Sequence, residues 1–309
     1  MTTSWQDLIR QRPHDSIDYT ALDSVACFMP LDQLGVLTVA GEDSHAFLQS
    51  LLTNDITLLA DQDTQYSGFC TPKGRLLALF LIIRASETSY QLVLPKSLCE
   101  AMAKRLAMYV LRSKATITNA SDSLVCVGST QSEPSLPSAL AYHVLSAQVH
   151  RGLIICPVEE ADALCQSLID QQYQLQSSHY WEWLDITAEI AKVVPETQEK
   201  FTPQQLNLDI THAVNFQKGC YPGQEVVARL HYLGKASRRL FTAEVSASVL
   251  AEMGSEVMTT EGQVAGHLVS AAQQDEQYFV CLISLKLSAF ESDLLLAGEP
   301  LRLTSKLVD

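Results

Sequence analysis

The chain has 309 residues, of which 47% are hydrophobic and 18% charged, with a formal net charge of −14 at pH 7. Such a length accommodates about two domains, and the composition is that of a globular protein rather than a disordered one. The acidic surplus argues against general nucleic-acid binding, which needs a broad positive face.

The longest apolar run, Leu76 to Ile83, is far short of the ~20 residues a membrane helix needs. Met1-Thr-Thr-Ser-Trp-Gln-Asp7 lacks the basic and apolar regions of a signal peptide, so the expected location is the cytoplasm. The eight cysteines (27, 70, 99, 126, 156, 165, 220 and 281) form no C-x-x-C pair and no Cys/His cluster at zinc spacing, and no metal site is expected. Most sit in apolar runs, as Cys126 and Cys156 do. The seven other than Cys220 read as small buried hydrophobes.

In chain order, Gly35 to Ala40 reads as a strand. Asp43 to Leu52 reads as a helix with a cap-like Asp43/Ser44 start and Phe47, Leu48, Leu51 and Leu52 on one face. Gln65 to Cys70 and Leu76 to Arg84 are strands around the turn at Pro72-Lys73-Gly74, and Tyr90 to Leu94 is another. Ser97-Leu-Cys-Glu100 has the capping-box form and opens a helix with Leu98, Met102, Leu106 and Tyr109 on its apolar face. Ala115 to Thr118 closes this series. Strands at Ser123 to Val127 and Gly152 to Pro157 and a helix over Glu159 to Gln172 repeat it, with Gln131 to Ser138 as a flexible loop. The β-α-β-β-α-β order predicts an α+β body of two ferredoxin-like units, about 25–120 and 121–235, within residues 1–235. From about 236 to 309 short strands alone recur, at Leu240 to Val245, Gln263 to Val269, Gln277 to Leu285 and Leu301 to Thr304, as in a small β-barrel.

One segment concentrates chemistry. Asn215-Phe-Gln-Lys218-Gly219-Cys220-Tyr221-Pro222-Gly223-Gln224-Glu225-Val-Val-Ala-Arg229 sets a cysteine between glycines in a loop that Pro222 stiffens. From Asn215 to Leu240 stand Lys218, Arg229, Lys235, Arg238 and Arg239 against Glu225 alone, a basic island in an acidic chain that suggests an anionic ligand. Cys220 is either a solvent-reachable nucleophilic or redox thiol, favoured as thiolate by Lys218 and Arg229, or a turn residue that packs. Gln224 and Glu225 can present an amide and a carboxylate to a heteroaromatic edge, or Glu225 can pair with Arg229 one helical turn on.

K-G-C-Y-x-G-Q-E followed by V-A-R, and then G-x-x-x-R-R-L at Gly234 to Leu240, resembles the hallmark of YgfZ-type folate-binding proteins, relatives of the glycine cleavage T-protein (aminomethyltransferase). Phe201-Thr-Pro203-Gln204-Gln-Leu-Asn207-Leu208, Gly41 to Gln49, Cys70 to Arg75 and Tyr109 to Lys114 match further family patterns in order. The resemblance implies a T-protein-like folate-binding α+β region followed by a C-terminal β-barrel. It implies tetrahydrofolate or a derivative as ligand, polyglutamylated or not. Cys220 would be the reactive thiol, with Trp181, Lys218, Tyr221, Gln224, Glu225, Arg229 and Arg238 around the cofactor. Trp181 would stack on the folate rings or else lie in the core, where Trp183 is expected, while Arg238, Arg239 and Lys235 either meet the glutamate tail or are solvated charges at the start of a strand.

The chain also departs from the pattern. Leu34 replaces a folate-site tryptophan, and Thr187 stands where the family has a pterin-reading acid, with Glu189 two places on. Leu76-Leu77-Ala78 replaces the I-D-D run whose carboxylate aminomethyl transfer requires, so that reaction is not expected. The resemblance implies a folate-dependent accessory protein for assembly or repair of iron–sulfur clusters in client enzymes, tRNA-modifying ones included. The alternatives are a tetrahydrofolate-dependent aminomethyltransferase and a non-catalytic scaffold that has lost folate.

Overall fold

The computed structural model describes residues 5–11, 19–22, 24–131, 133–137, 140–146, 151–232, 234, 236–247, 250–275 and 277–306. Lys235 and parts of the Gln131–Ser138 loop and of the N-terminal segment lie outside these residues.

Helix α1 (Trp5–Gln11) and strand β1 (Cys27–Pro30) come first. Then follow β2 (Leu34–Ala40), α2 (Ser44–Leu51), β3 (Thr64–Cys70), β4 (Leu76–Ser86), β5 (Ser89–Pro95), α3 (Lys96–Ala107) and β6 (Thr116–Asn119). The second series is β7 (Leu124–Thr130), β8 (Tyr142–Ser146), β9 (Arg151–Pro157), α4 (Ala161–Asp170), β10 (Gln174–Leu175) and α5 (Ser178–Thr187). After α6 (Gln224–Tyr232) come β11 (Arg238–Ser246), β12 (Glu256–Thr259), β13 (Val264–Gln273), β14 (Tyr278–Lys286), β15 (Leu294–Leu296) and β16 (Glu299–Leu303).

The strands build two five-stranded sheets, ordered β3-β4-β5-β2-β6 and β10-β1-β7-β9-β8, and a closed barrel β11-β14-β13-β12-β15-β16. The expected α+β class with a C-terminal barrel is what forms. Each sheet has one strand more than a four-stranded ferredoxin-like unit. The extra strand β1 comes from before the first sheet, yet pairs antiparallel with β7 and parallel with β10 in the second. Four residues, Cys27 to Pro30, are too few to show a period, so the sequence does not announce it. β8, β12 and β15 go unannounced for the same want of length or alternation.

Two local expectations are corrected. Helix α3 starts at Lys96 with Pro95 as its N-cap and no side-chain cap bond, so the capping box at Ser97 is not used. Its buried face is Leu98, Cys99, Met102 and Leu106, and Tyr109 lies past the helix end. The helix expected over Glu159 to Gln172 is a 3-10 turn, Val158–Glu160, leading into the shorter α4.

By contact density the chain forms two compact units. The first comprises residues 1–47, 58–65 and 81–181; the second comprises 48–57, 66–80 and 182–309. In the first unit β2 and β5 pair from Leu34–Pro95 to Ala40–Ser89. One core of that unit gathers Phe28, Val127, Ile154, Cys156, Leu164, Cys165 and Leu168, with Trp5 and Tyr173 beside them. β4 is buried along Leu76 to Ile83, which explains an unbroken apolar run where an edge strand would alternate.

In the second unit the barrel core is Phe241, Val245, Val257, Leu268, Ile283, Leu285, Leu294 and Leu296. β11 alternates buried and half-exposed positions and pairs with β14 from Arg238–Lys286 to Ser246–Tyr278. Asn207 ties this barrel to the chain before it. It sits at φ 56°, a left-handed angle that Asn tolerates, and ends the 3-10 turn Pro203–Leu206. Its Nδ2 donates to Leu240 O at 2.9 Å, and its Oδ1 accepts from Leu240 N–H at 3.1 Å, both buried. Arg239 adds a two-oxygen pair to Asp209 at 2.7 and 2.9 Å and donates to Gln204 O at 3.1 Å. Asn207→Ala should therefore cost about 2–4 kcal/mol, for two buried backbone groups left unpaired. Urea unfolding will read this as a lowered midpoint at unchanged slope.

Candidate functional site

The Cys220 loop, which lies in the second unit, is fixed by Lys218. This lysine is buried, and its Nζ donates to the carbonyls of Gln49, Leu52 and Asn54 at 2.8, 2.5 and 2.9 Å. These oxygens lie in the last turn of α2 and just past it, where helical carbonyls lack intrahelical partners and the helix dipole is negative. Three ammonium hydrogens meet three acceptors. Burial pushes the Lys218 ammonium down to about 8, against the opposing charge of Asp55. Tyr221 covers the lysine, its ring centroid 5.4 Å from Nζ, and burial pushes its phenol well above the usual range.

The segment after α2 completes the seat. Thr53 Oγ1 donates to Ala213 O at 2.8 Å and accepts from Gly68 N–H at 2.7 Å, and Thr53 O accepts from Asn215 N–H at 3.0 Å. Asn54 Nδ2 donates to Tyr66 O at 3.0 Å and His212 O at 2.8 Å. Asp55 Oδ1 accepts from Thr57 Oγ1 at 2.6 Å and Gln49 Nε2 at 3.0 Å, and the Thr57 hydroxyl is the first cause of its carboxyl lying below the ordinary value. Sequence reasoning quoted Gln49 only as the end of a family pattern and passed over Thr53, Asn54 and Asp55. The available signal was a polar T-N-D run directly after an apolar helix.

The two glycines of the motif differ. Gly223 has φ 81°, and a Cβ there would stand 2.4 Å from Thr71 O and 2.7 Å from Gly74 Cα. Gly74, at φ 70°, would meet Val226 Cβ at 3.0 Å. The K-G-R turn and the P-G turn thus press backbone on backbone, which requires glycine at both. Gly219 has no positive φ, and a Cβ there would meet no atom within 4 Å beyond its chain neighbours, so neither reason for glycine applies to it. Cys220 next to it is exposed, while the other seven cysteines are buried. Burial pushes the thiols of Cys70, Cys126, Cys156, Cys165 and Cys281 up to about 12, Cys27 up to about 11, and Cys99 upward.

α6 starts directly after Gly223, and a cleft of about 670 Å³ opens against it. Lys73 and Arg75 of the turn between β3 and β4, Thr202, Gln204 and Gln205 of the turn that Asn207 ends, Glu225, Val226, Arg229 and Leu230 of α6, and Gly234, Ala236 and Ser237 line it. Among the described residues, three cations and one acid line it. The i,i+4 pair between Glu225 and Arg229 is not among the ion pairs formed by the described residues.

The eight predicted site residues therefore separate. Glu225 and Arg229 line the cleft and Cys220 is presented on the loop. Lys218 and Tyr221 are structural, and the expectation that Lys218 supports a Cys220 thiolate is corrected, since its ammonium is taken by three carbonyls. Gln224 Nε2 folds back on Gly219 O and Lys218 O at 3.3 and 3.4 Å. Arg238 is half-buried at the start of β11 and is not among the cleft residues. Trp181, in the first unit, is 3% exposed, with Arg151 Cζ 4.3 Å above its ring and Gly128 packed so closely that a Cβ would lie 2.4 Å from it. The open stacking face expected of Trp181 is thus corrected: a folate ring stacks there only if Arg151 moves. Trp183 is buried, as expected. Thr187 is exposed and donates to Leu184 O at 3.1 Å, and burial raises the carboxyl of half-buried Glu189.

Lys218→Met should destabilise the protein by about 3 kcal/mol, because it strips charge-assisted donors from buried carbonyls. In the native wild type, mass-spectrometric alkylation should reach Cys220 well before the seven buried thiols. Gly223→Ala should lower the melting temperature by several degrees, a loss of about 1–3 kcal/mol, while Gly219→Ala leaves it nearly unchanged.

Comparison with known proteins places this geometry. Residues 14–128 match the family described as the GCVT N-terminal domain. An uncharacterized protein of Haemophilus influenzae is 29% identical over 252 residues, 80% of this chain and 85% of that one. The tRNA-modifying protein YgfZ of Klebsiella pneumoniae is 28% identical over 270 residues, 80% of this chain and 81% of its own. The protein of the same name from Photobacterium profundum is 29% identical over 223 residues, 68% of each chain. Among solved structures, the glycine cleavage system aminomethyltransferase T from Bartonella henselae aligns with a TM-score of 0.72 at 15% identity, over 96% of this chain and 88% of that one. The chain has the fold of the glycine cleavage T-protein, and in sequence it resembles the YgfZ proteins over most of its length.

Proposed function

We propose that this protein is a folate-dependent accessory factor for the assembly or repair of iron–sulfur clusters in client enzymes, tRNA-modifying enzymes among them. The observation that carries the reading is one exposed thiol, Cys220, on a loop locked by a buried lysine, in a T-protein fold that lacks the transfer carboxylate. The relatives named tRNA-modifying protein YgfZ support the tRNA link.

Aminomethyl transfer is disfavoured by what occupies the carboxylate positions. Leu76, Leu77 and Ala78 are 0%, 1% and 0% exposed, and the backbone there is held by Leu76 N–H to Phe201 O and Glu199 N–H to Leu76 O, each at 2.8 Å. Hydrocarbon packed in the core neither moves a proton nor polarises a folate nitrogen.

A reduced folate fits the donor set of the second unit's cleft. Lys73, Arg75 and Arg229 would hold its carboxylates. When bound, the folate supplies a one-carbon carrier. The chain's own residues bind and orient that ligand, and the loop presents the Cys220 thiol.

Calorimetric titration of the purified protein with tetrahydrofolate should show binding. In cells lacking the protein, Cys220→Ala should restore client iron–sulfur enzyme activity about tenfold less well than wild type, since a methyl group has no thiolate chemistry. Rapid turnover in a purified glycine-cleavage assay would instead establish the transferase. Full rescue by Cys220→Ala together with no folate binding would establish a scaffold, the reading that the Arg151-covered Trp181 favours.

A further inference from the structure

We propose that the loop after α3, residues 108–113, is a docking surface for an acidic amphipathic segment of a partner protein, one whose apolar side chains are flanked by carboxylates. The loop belongs to the first unit, and the proposal is independent of the folate reading. Its apolar part is Met108 and Leu111, which stand 67% and 89% exposed three positions apart. Its charged part is the run from Lys104 to Lys114, which carries four cations and no acid in a chain whose net charge is −14. Lys104 and Lys114 lie in exposed ion pairs with Glu100 and Glu42, at 2.9 and 2.6 Å, and such pairs contribute little and exchange for another carboxylate. Arg105 and Arg112 are not among the ion pairs formed by the described residues.

The backbone at Leu111 is an independent observation. Ser113 N–H donates to Val110 O at 2.6 Å and closes a four-residue turn, in which Leu111 is the first central residue at φ 41°. Turns with a positive φ at that position are dominated by Gly, Asn and Asp, and a bulky side chain there is strained. At 89% exposure, no burial within the described chain offsets that strain. The loop is nevertheless fixed at both ends. Tyr109 N–H donates to Leu106 O at 2.9 Å, Lys114 N–H donates to Asp43 Oδ2 at 2.7 Å, and Lys114 O accepts from Asp43 N–H at 3.2 Å. Gly41, at φ 132°, lets the chain come so near that a Cβ there would lie 2.1 Å from Lys114 O. A strained leucine held outward on an anchored loop is a contact residue whose partner lies outside the chain.

The charge decides the occupant. Cations beside an apolar pair disfavour a basic partner and favour one whose carboxylates surround an apolar patch. An anionic membrane or a nucleic acid presents an extended negative field, which meets the acidic remainder of the chain as well as this loop. A short acidic segment meets the loop alone. In such a contact, the few side chains buried at the centre carry most of the affinity, and Leu111 and Met108 are the apolar anchors on this side.

Fluorescence anisotropy on the full-length protein tests this with two labelled synthetic helical peptides. One has leucines on one face and glutamates on the other, and the second has lysines in place of the glutamates. The glutamate peptide should bind and the lysine peptide should not. Leu111→Asn and Arg112→Glu should each weaken binding about tenfold, whereas Lys306→Ala, at an exposed position outside the loop, should not. Asparagine tolerates a positive φ, so Leu111→Asn should leave the melting temperature unchanged or higher. Lost peptide binding in a variant at least as stable as wild type separates docking from folding. No binding of the glutamate peptide, or equal binding of both peptides, overturns the inference. A lower melting temperature of Leu111→Asn also overturns it, because the side chain is then structural. Binding to phosphatidylglycerol vesicles at least as strong as to the glutamate peptide puts a membrane surface in place of the partner protein and overturns it as well.

Discussion

One ammonium group seated on three carbonyls sets the geometry of the candidate site. Lys218 links the end of α2 to a loop more than 160 residues later in the chain, and it does so with every hydrogen it has. Long-range closure of this kind carries a loop-entropy cost, which three charge-assisted bonds to carbonyls in the last turn of α2 and just past it offset. A neutral side chain could fill the space but could not satisfy the acceptors. The Thr53–Asn54–Asp55 run then converts a single tether into a platform, since its backbone and side chains hold residues 212 to 215 as well.

A second constraint depends on the first. With the loop anchored at Lys218, the chain reaches Gly223 against the turn at Thr71 to Gly74, and α6 begins there with Val226 over Gly74. That contact forms one wall of the cleft, bringing Lys73 and Arg75 to face Glu225 and Arg229. The opposite floor is set from the barrel side, where Asn207 and Arg239 fix the turn that carries Thr202 and Gln204. Residues spread from 73 to 237 thus converge through two glycines, one asparagine and one lysine.

The α+β class and the terminal barrel were legible because they rest on period and length: β4 as an unbroken apolar run, α2 as an amphipathic helix, and the barrel as a recurrence of short strands. β1 and β15 were illegible because three or four residues carry no period, and their place is decided by pairing partners far along the chain. At the site, the sequence made Cys220 and the basic island visible, and two of the residues it singled out, Glu225 and Arg229, line the cleft. Its ligand-side readings of Lys218 and Trp181 meet a shared obstacle. A cation or an indole beside a motif looks like a ligand contact until burial is known, and both are buried here, one on carbonyls and the other under Arg151.

What the hallmark loop presents follows by elimination. Lys218 is consumed by carbonyls and Tyr221 by covering it. Gly223 is fixed by its backbone angle and close approach, while Gln224 is turned back onto Gly219 and Lys218. Gly219 accepts the Gln224 amide through its backbone oxygen but has open space where a side chain would stand, and Cys220 is exposed. A side chain at Gly219 would cost the fold little but would stand next to the thiol. Its absence keeps an approach to Cys220 open. A loop whose other members serve rigidity and whose free members are one thiol and one bare backbone unit is built to hold a sulfur still and accessible. That is the physical content behind reading Cys220 as the working group.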